Sequence, residues 1–192
     1  GRLLEAENEA RKAVLGALDK LGRYSPHTAG ILRSLVWAIQ EQGRYPEAEM
    51  LARAVIDIHE KTGSSSDSIR LALARAQLGS ALQHQGRQKE ALVEYEAIRT
   101  GLAGDPEYLR KFLGGHGGYA VALLRTGNVD QALEILSVAI AKSRRLVGDS
   151  HRETARIRGY MAQAYAMKGD QARALREFRE ATHVLLARSL GT

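Results

Sequence analysis

The 192-residue chain contains no cysteine, only three prolines and only ten aromatic side chains. Without cysteine it forms no disulfide, no thiolate zinc site and no cysteine nucleophile. No apolar run reaches the roughly 18 residues that a membrane-spanning helix requires, because charged or polar residues interrupt every stretch. The expectation is a chain without a membrane role, with the cytoplasm as its default location. At 44% hydrophobic and 26% charged residues, the composition is ordinary for a folded protein and excludes an extended disordered tail.

What is abundant is repetition. A glycine followed five residues later by an alanine occurs at Gly1 and Ala6, Gly43 and Ala48, Gly86 and Ala91, Gly127 and Ala132, and Gly169 and Ala174, with steps of 42, 43, 41 and 42 residues. A fixed period of that size marks stacked helical hairpins, each too small to bury its apolar face alone. Between the glycines, apolar residues recur at spacings of three and four. Ala29, Leu32, Leu35, Val36 and Ile39 precede Gly43, and Ala48, Leu51, Ala52, Val55 and Ile56 follow it. Pro26, Pro46 and Pro106 stand at helix starts, and Ser150 with Glu153 reads as a capping box.

The predicted helices are 26–42, 46–62, 67–85, 88–101, 106–126, 129–147, 151–168 and 171–189, with a lone second helix at 2–22. This divides one array into a half repeat at 1–25 and repeats at 26–66, 67–104, 105–148 and 149–192. Gly1, in phase with the turn glycines, reads as an internal turn, so the chain reads as a segment of a longer protein.

These residues resemble the tetratricopeptide repeat. The recurring Ala48, Ala91, Ala132 and Ala174 stand where that family places a small residue at the helix crossing. Tyr95 with Ile98, Leu136 with Ala139, and Phe178 with Ala181 continue its pattern. The long unit, and the text Leu146 to Ala155 echoed by Leu21 to Ala29, are similar to the kinesin light-chain variety. The resemblance implies an all-α, right-handed solenoid of antiparallel helix pairs. It also implies a concave groove, lined by the first helices, that receives a peptide or helix of a partner protein.

Counted back from each turn glycine, the groove positions implied are Arg33, Ser34 and Trp37; Ala76, Gln77 and Ser80; Gly117, Gly118 and Val121; and Gly159, Tyr160 and Gln163. Where kinesin light-chain-like repeats often carry a clamping asparagine, this chain has Ser34, Gln77, Gly118 and Tyr160. Two readings stand for Trp37: packing against the preceding half repeat, or an aromatic anchor for a ligand side chain. Eleven residues before the turn glycine, where the family places a bulky apolar residue, Leu32 conforms while Arg75, His116 and Arg158 do not. The two arginines read either as packed stems or as a cationic groove edge for an acidic partner. The run Gly114-Gly115-His116-Gly117-Gly118 weakens a helix by roughly 3–4 kcal/mol at about 1 kcal/mol per glycine, and so predicts a kink or a close helix approach.

Catalysis is not expected. The six histidines include no pair at the i, i+4 spacing of a helical zinc site, so neither metal nor cofactor is implied. Glu47 with Glu49, and Glu94 with Glu96, read as carboxylates on solvated helix faces. A net charge of +6 brings nucleic acid into view. Yet the basic residues, among them Arg11, Arg53, Arg125 and Arg179, are scattered and not interleaved with aromatics. The reading is therefore a non-enzymatic protein-interaction scaffold. Its alternatives are the sensing or recruiting arm of a larger signalling ATPase or protease regulator, and, second, a nucleic-acid-binding helical repeat. Apolar stripes at the two ends, Leu4 to Leu18 and Phe178 to Leu185, add an expectation of self-association through open repeat ends.

Overall fold

The computed structural model describes residues 2–189, with side chains to Ala187; Gly1 and Gly191 lie outside that range. The described residues form helices that fall into two compact units, divided between Pro106 and Glu107. The first unit holds α1 (Arg2–Leu21), α2 (Pro26–Glu41), α3 (Tyr45–Lys61), α4 (Ile69–His84) and α5 (Gln88–Gly101). The second holds α6 (Pro106–Leu113) from its second residue onward, then α7 (Gly117–Arg125), α8 (Val129–Val147), α9 (Arg152–Met167) and α10 (Gln171–Ser189). Consecutive helices pack as hairpins: α2 on α3 and α4 on α5 in the first unit, α7 on α8 and α9 on α10 in the second.

The turn glycines act through a specific geometry. Gly43 has φ +76°; its N–H donates to the Gln40 carbonyl at 2.9 Å, and the next N–H, of Arg44, reaches back to Ile39 at 3.2 Å. That pair of bonds is a Schellman motif, which satisfies carbonyls the helix end would leave bare and needs a left-handed residue. Gly86, Gly127 and Gly169 repeat it, with Arg87, Asn128 and Asp170 reaching back to Leu82, Leu123 and Tyr165. The following alanines serve the crossing. Ala48, Ala91 and Ala132 are fully buried and Ala174 nearly so, because the partner helix lies where a larger side chain would go.

Around these crossings each unit builds its own core. Val36, Ile39, Val55, Ile58, Leu78, Leu82, Tyr95 and Ile98 fill the first unit, and Leu123, Leu124, Leu136, Ile140 and Ile157 the second. Each fully buried aliphatic side chain contributes about 1.5–3 kcal/mol relative to exposure. Tyr95 fits because its neighbour is a glycine: a Cβ on Gly79 would lie 2.8 Å from the Tyr95 ring. Its hydroxyl donates to Gln83 Oε1 at 3.1 Å, so the buried polar tip is satisfied.

The echo between the inter-repeat segments also has a physical cause. Thr28 Oγ1 donates to the Gly22 carbonyl at 2.9 Å, and Thr154 Oγ1 donates to Gly148 at 2.8 Å. Both threonines are buried, and both glycines are left-handed. One hydroxyl thus closes each loop onto the start of the next helix.

Three expectations need correction. The helix predicted over 106–126 is interrupted: α6 ends at Leu113 and α7 begins at Gly117. Gly115 takes φ +83°, and a Cβ there would stand 3.2 Å from the Ala139 backbone, so glycine is needed for both conformation and space. His116 then caps α7, its Nδ1 accepting from the Tyr119 N–H at 3.2 Å. Burial pushes the His116 pKa down, which favours the neutral ring that this acceptor role requires. Second, α9 is capped by His151, whose Nδ1 accepts from the Glu153 N–H at 3.1 Å, and not by Ser150. The Glu153 carboxylate is drawn instead to Arg156 at 2.6 Å.

Third, Glu47, Glu49 and Glu94 are not on open solvated faces. Glu7 and Glu49 each receive the turn of the next hairpin: Gln42 and Arg44 donate to Glu7 at 2.7 and 2.8 Å, while Gln85 and Arg87 donate to Glu49 at 2.8 and 2.6 Å. Arg11 and Arg53 complete the two sets, and Glu47 joins the first through Arg11 and Arg44. Glu94 pairs with Arg75. In the second unit Lys168 pairs with Asp130 at the corresponding turn.

Hydrogen bonds from Gln42, then Arg11 and Arg44, hold the Glu7 carboxyl at about 2, against an ordinary 4.5. A depressed folded-state value means that the stabilisation is complete above about 4.5 and is lost as pH falls towards 2. Urea melts of the protein and of Glu7→Gln should therefore differ most at neutral pH, the gap closing steadily as the pH is lowered through that window.

Candidate binding surface

In the first unit the first helices of consecutive hairpins, α2 and α4, lie side by side. Two side-chain amides brace them: Gln40 Nε2 donates to the Gln77 carbonyl at 2.7 Å, and Gln77 Nε2 to the Arg33 carbonyl at 3.2 Å. Gln77, expected at a groove position, is thus partly committed to joining the two helices. Along α2 an exposed row runs Gly30, Ser34, Trp37, Glu41, at the three- and four-residue steps of one helix face. A Cβ added at Gly30 would meet nothing within 4 Å, so the space in front of that turn is open.

Trp37 stands in the middle of the row with 51% of its surface exposed. Arg33 is half-buried beside it, and Ala76 and Ser80 present small, half-buried side chains on α4. The α2 row thus carries one large exposed ring, and the α4 positions carry small side chains.

The second unit places its expected positions differently. Gly117, Gly118 and Val121 of α7 and Gly159 and Gln163 of α9 are half-buried, with open space where a Cβ of Gly117 or Gly159 would be. Tyr160 leans on the cluster of Ala120, Leu136, Ala139, Ile140, Ile157 and Met161, so part of its ring belongs to the core. His116 is occupied as the α7 cap.

The cationic edge is spent internally. Arg158 is 7% exposed, with Nη1 on Glu177 at 2.8 Å and Nη2 on Asp149 at 3.0 Å. Arg75 divides its guanidinium between Glu60 at 3.0 Å and Glu94 at 2.8 Å. A lone cation costs too much to bury unpaired, so these arginines turn to carboxylates of the second helices α3, α5 and α10, and Arg158 also to Asp149 in the loop before α9. Sequence spacing gave no sign of it, because the partners lie on another helix. For Glu7 and Glu49 a sign was present: the triplet Gln-Gly-Arg occurs at both 42–44 and 85–87.

Among the described residues, no group of three or more histidine, aspartate or glutamate side chains is arranged to hold a metal ion, and no helix is long and apolar enough to cross a membrane. What the fold defines is a helical-repeat protein built of stacked antiparallel hairpins. Two family models of the tetratricopeptide repeat match, over residues 28–62 and 115–187, together more than half of the chain. The chain belongs to the tetratricopeptide repeat family.

Its fold is similar to that of kinesin light-chain-like repeats. The putative kinesin light chain of Podosopora anserina, with nearly identical TPR-like repeats, superposes with a TM-score of 0.67 at 21% identity, over 100% of this chain and 90% of that one. A point variant of that protein gives 0.68 at 20% identity, with the same coverage. BtubC (BKLC) from P. vanneervenii gives 0.66 at 18% identity, over 100% of this chain and 76% of that one. No curated protein matches the sequence.

Proposed function

We propose that this chain is a non-enzymatic scaffold that binds a peptide or helix of a partner protein on its first-helix faces. The observation that carries this reading is Trp37, half exposed in the open row along α2. Tetratricopeptide repeats generally mediate protein–protein interaction, and the family membership supports the same reading. Binding here is non-covalent: the rigid hairpins offer a preformed surface, so little ordering cost falls on the protein itself. The sites assigned are Arg33, Ser34, Trp37, Gln77 and Ser80 in the first unit, and Gly117, Gly118, Val121, Tyr160 and Gln163 in the second.

The proposal includes a cytoplasmic setting and self-association of the chain. Leu4, Leu15 and Leu18 on α1, and Leu175, Phe178 and Leu185 on α10, are exposed apolar side chains that support the latter.

The test is substitution of the anchor. With a partner in hand, Trp37→Ala should weaken binding at least tenfold, since truncating a hot-spot tryptophan costs about 2 kcal/mol or more. The thermal midpoint should stay near that of the unaltered protein, because half of the ring is already exposed. Unchanged affinity in calorimetry, with the fold intact, would remove Trp37 from the site.

A further inference from the structure

Shifted by one repeat, Leu4, Leu15 and Leu18 of α1 correspond to Pro46, Asp57 and Glu60 of α3. Helix α3 packs against α2 and against α4, and Pro46 and Glu60 are still exposed. That side of a second helix thus meets solvent even with both neighbours in place. In α8 the same places hold Asp130, Ala141 and Arg144. On α1 they hold three exposed leucines at steps of eleven and three, one face of the helix, with Leu15 67% exposed.

A second apolar stripe lies on α10. Leu175, Phe178 and Leu185 stand where α8 has Leu133, Leu136 and Ser143. In α8 that stripe is the seat of α9: Leu136 and Ser143 are buried, and Leu136 packs with Ile157 and Met161. On α10 the same seat is open, its three large side chains about half exposed.

The charges beside the two stripes are opposite. One residue on from Leu4 and Leu18 come Glu5 and Asp19, neither with a cation within salt-bridge distance among the described residues. Lys12, on the same border, is held by Glu9 at 2.9 Å. One residue on from Leu175 and Phe178 come Arg176 and Arg179, on the corresponding border of α10. Arg176 reaches Glu177 only at 3.5 Å, and Arg179 has no acid within salt-bridge distance among the described residues. Borders on the same side of two helices meet when the helices pack antiparallel. An antiparallel two-fold pair of α1 helices, or of α10 helices, would set like charges together, whereas α1 on α10 sets acid beside base.

We propose that α1 docks antiparallel on α10 of a second copy of this chain, Leu18 on Leu175 and Leu15 on Phe178, with Asp19 beside Arg176. The contact rests on the self-association reading and names its two faces. Burying the two leucines against Leu175 and Phe178 supplies the attraction, and the charged borders fix the direction. Because two different faces meet, each added copy leaves one of each open, and further copies join in series.

Velocity sedimentation of the 192-residue chain provides the test. The unaltered chain should form a concentration-dependent series that passes beyond the dimer. Leu15→Asp removes the α1 face and Phe178→Asp the α10 face, both at exposed positions, so each variant should be monomeric alone with its thermal midpoint unchanged. Mixed one to one, the two should form a dimer and nothing larger, since each supplies the face the other lacks. Adding Asp19→Arg to the Phe178→Asp chain should weaken that dimer about tenfold, and Arg176→Asp in the Leu15→Asp chain should restore it. An unaltered chain that is monomeric at every concentration would overturn self-association and this contact together. If the unaltered chain associates but either variant dimerises alone, the mixture stays monomeric, or the charge swap fails to restore the dimer, the α1–α10 contact alone falls. None of these outcomes bears on the Trp37 test.

Discussion

Replacing Arg158 by methionine should destabilise the second unit by about 3–5 kcal/mol, the range for removing one partner of a buried ion pair. The Arg158 and Glu177 side chains are only 9% and 10% exposed and stand 2.8 Å apart. Once the guanidinium is gone, Glu177 keeps only the longer contact to Arg176 at 3.5 Å, and the exposed Asp149 falls back on Arg144 at 2.8 Å. The loss thus arises mostly from a carboxylate stranded between α9 and α10. Taking out both charges, as Arg158→Met with Glu177→Leu, should recover most of the stability. Urea unfolding of the single and double variants measures this directly. A double variant as unstable as the single would show that the pair's shape, and not its charge, matters.

The second large effect is expected at a helix crossing. Ala132 is fully buried where α8 meets α7, and Ala132→Leu introduces three carbons with no cavity to receive them. Overpacking of this kind costs about 1–3 kcal/mol, and helices that separate to relieve it lose neighbouring contacts as well. Ala141→Leu, on an exposed face of the same helix, should change stability by less than about 0.5 kcal/mol. Parallel thermal melts of the two variants give the comparison. Similar midpoints would mean that the crossing has slack.

The contrast between these sites shows what a single sequence discloses. Gly43, Gly86, Gly127 and Gly169 announce themselves because a left-handed C-terminal cap admits few residues, and the paired alanines because a close crossing admits only small ones. Local constraints leave local signatures, so the helices and their phase were legible. The pairing of Arg158 was not, since an arginine on a helix looks alike whether its partner is water or a carboxylate 19 residues away.

The interruption at Gly115 falls between these cases. Its glycines announced a disturbed helix, but only the approach of Ala139 and the His116 cap show that the helix divides in two. Among the groove positions, helix phase placed Trp37 on an open face. It could not show that Gln77 is drawn into bracing α2 against α4, or that the Arg158 charge is turned inward.

The central claim is that the first-helix face of the first unit, and not its second-helix face, meets the partner. A photoreactive amino acid placed at position 41 on α2, an exposed place in the Trp37 row, and separately at the exposed position 50 on α3, tests it with Trp37 left in place. With purified partner, crosslinks should form from position 41 and be absent from position 50. Equal yields from both positions, or crosslinking from position 50 alone, would contradict the account.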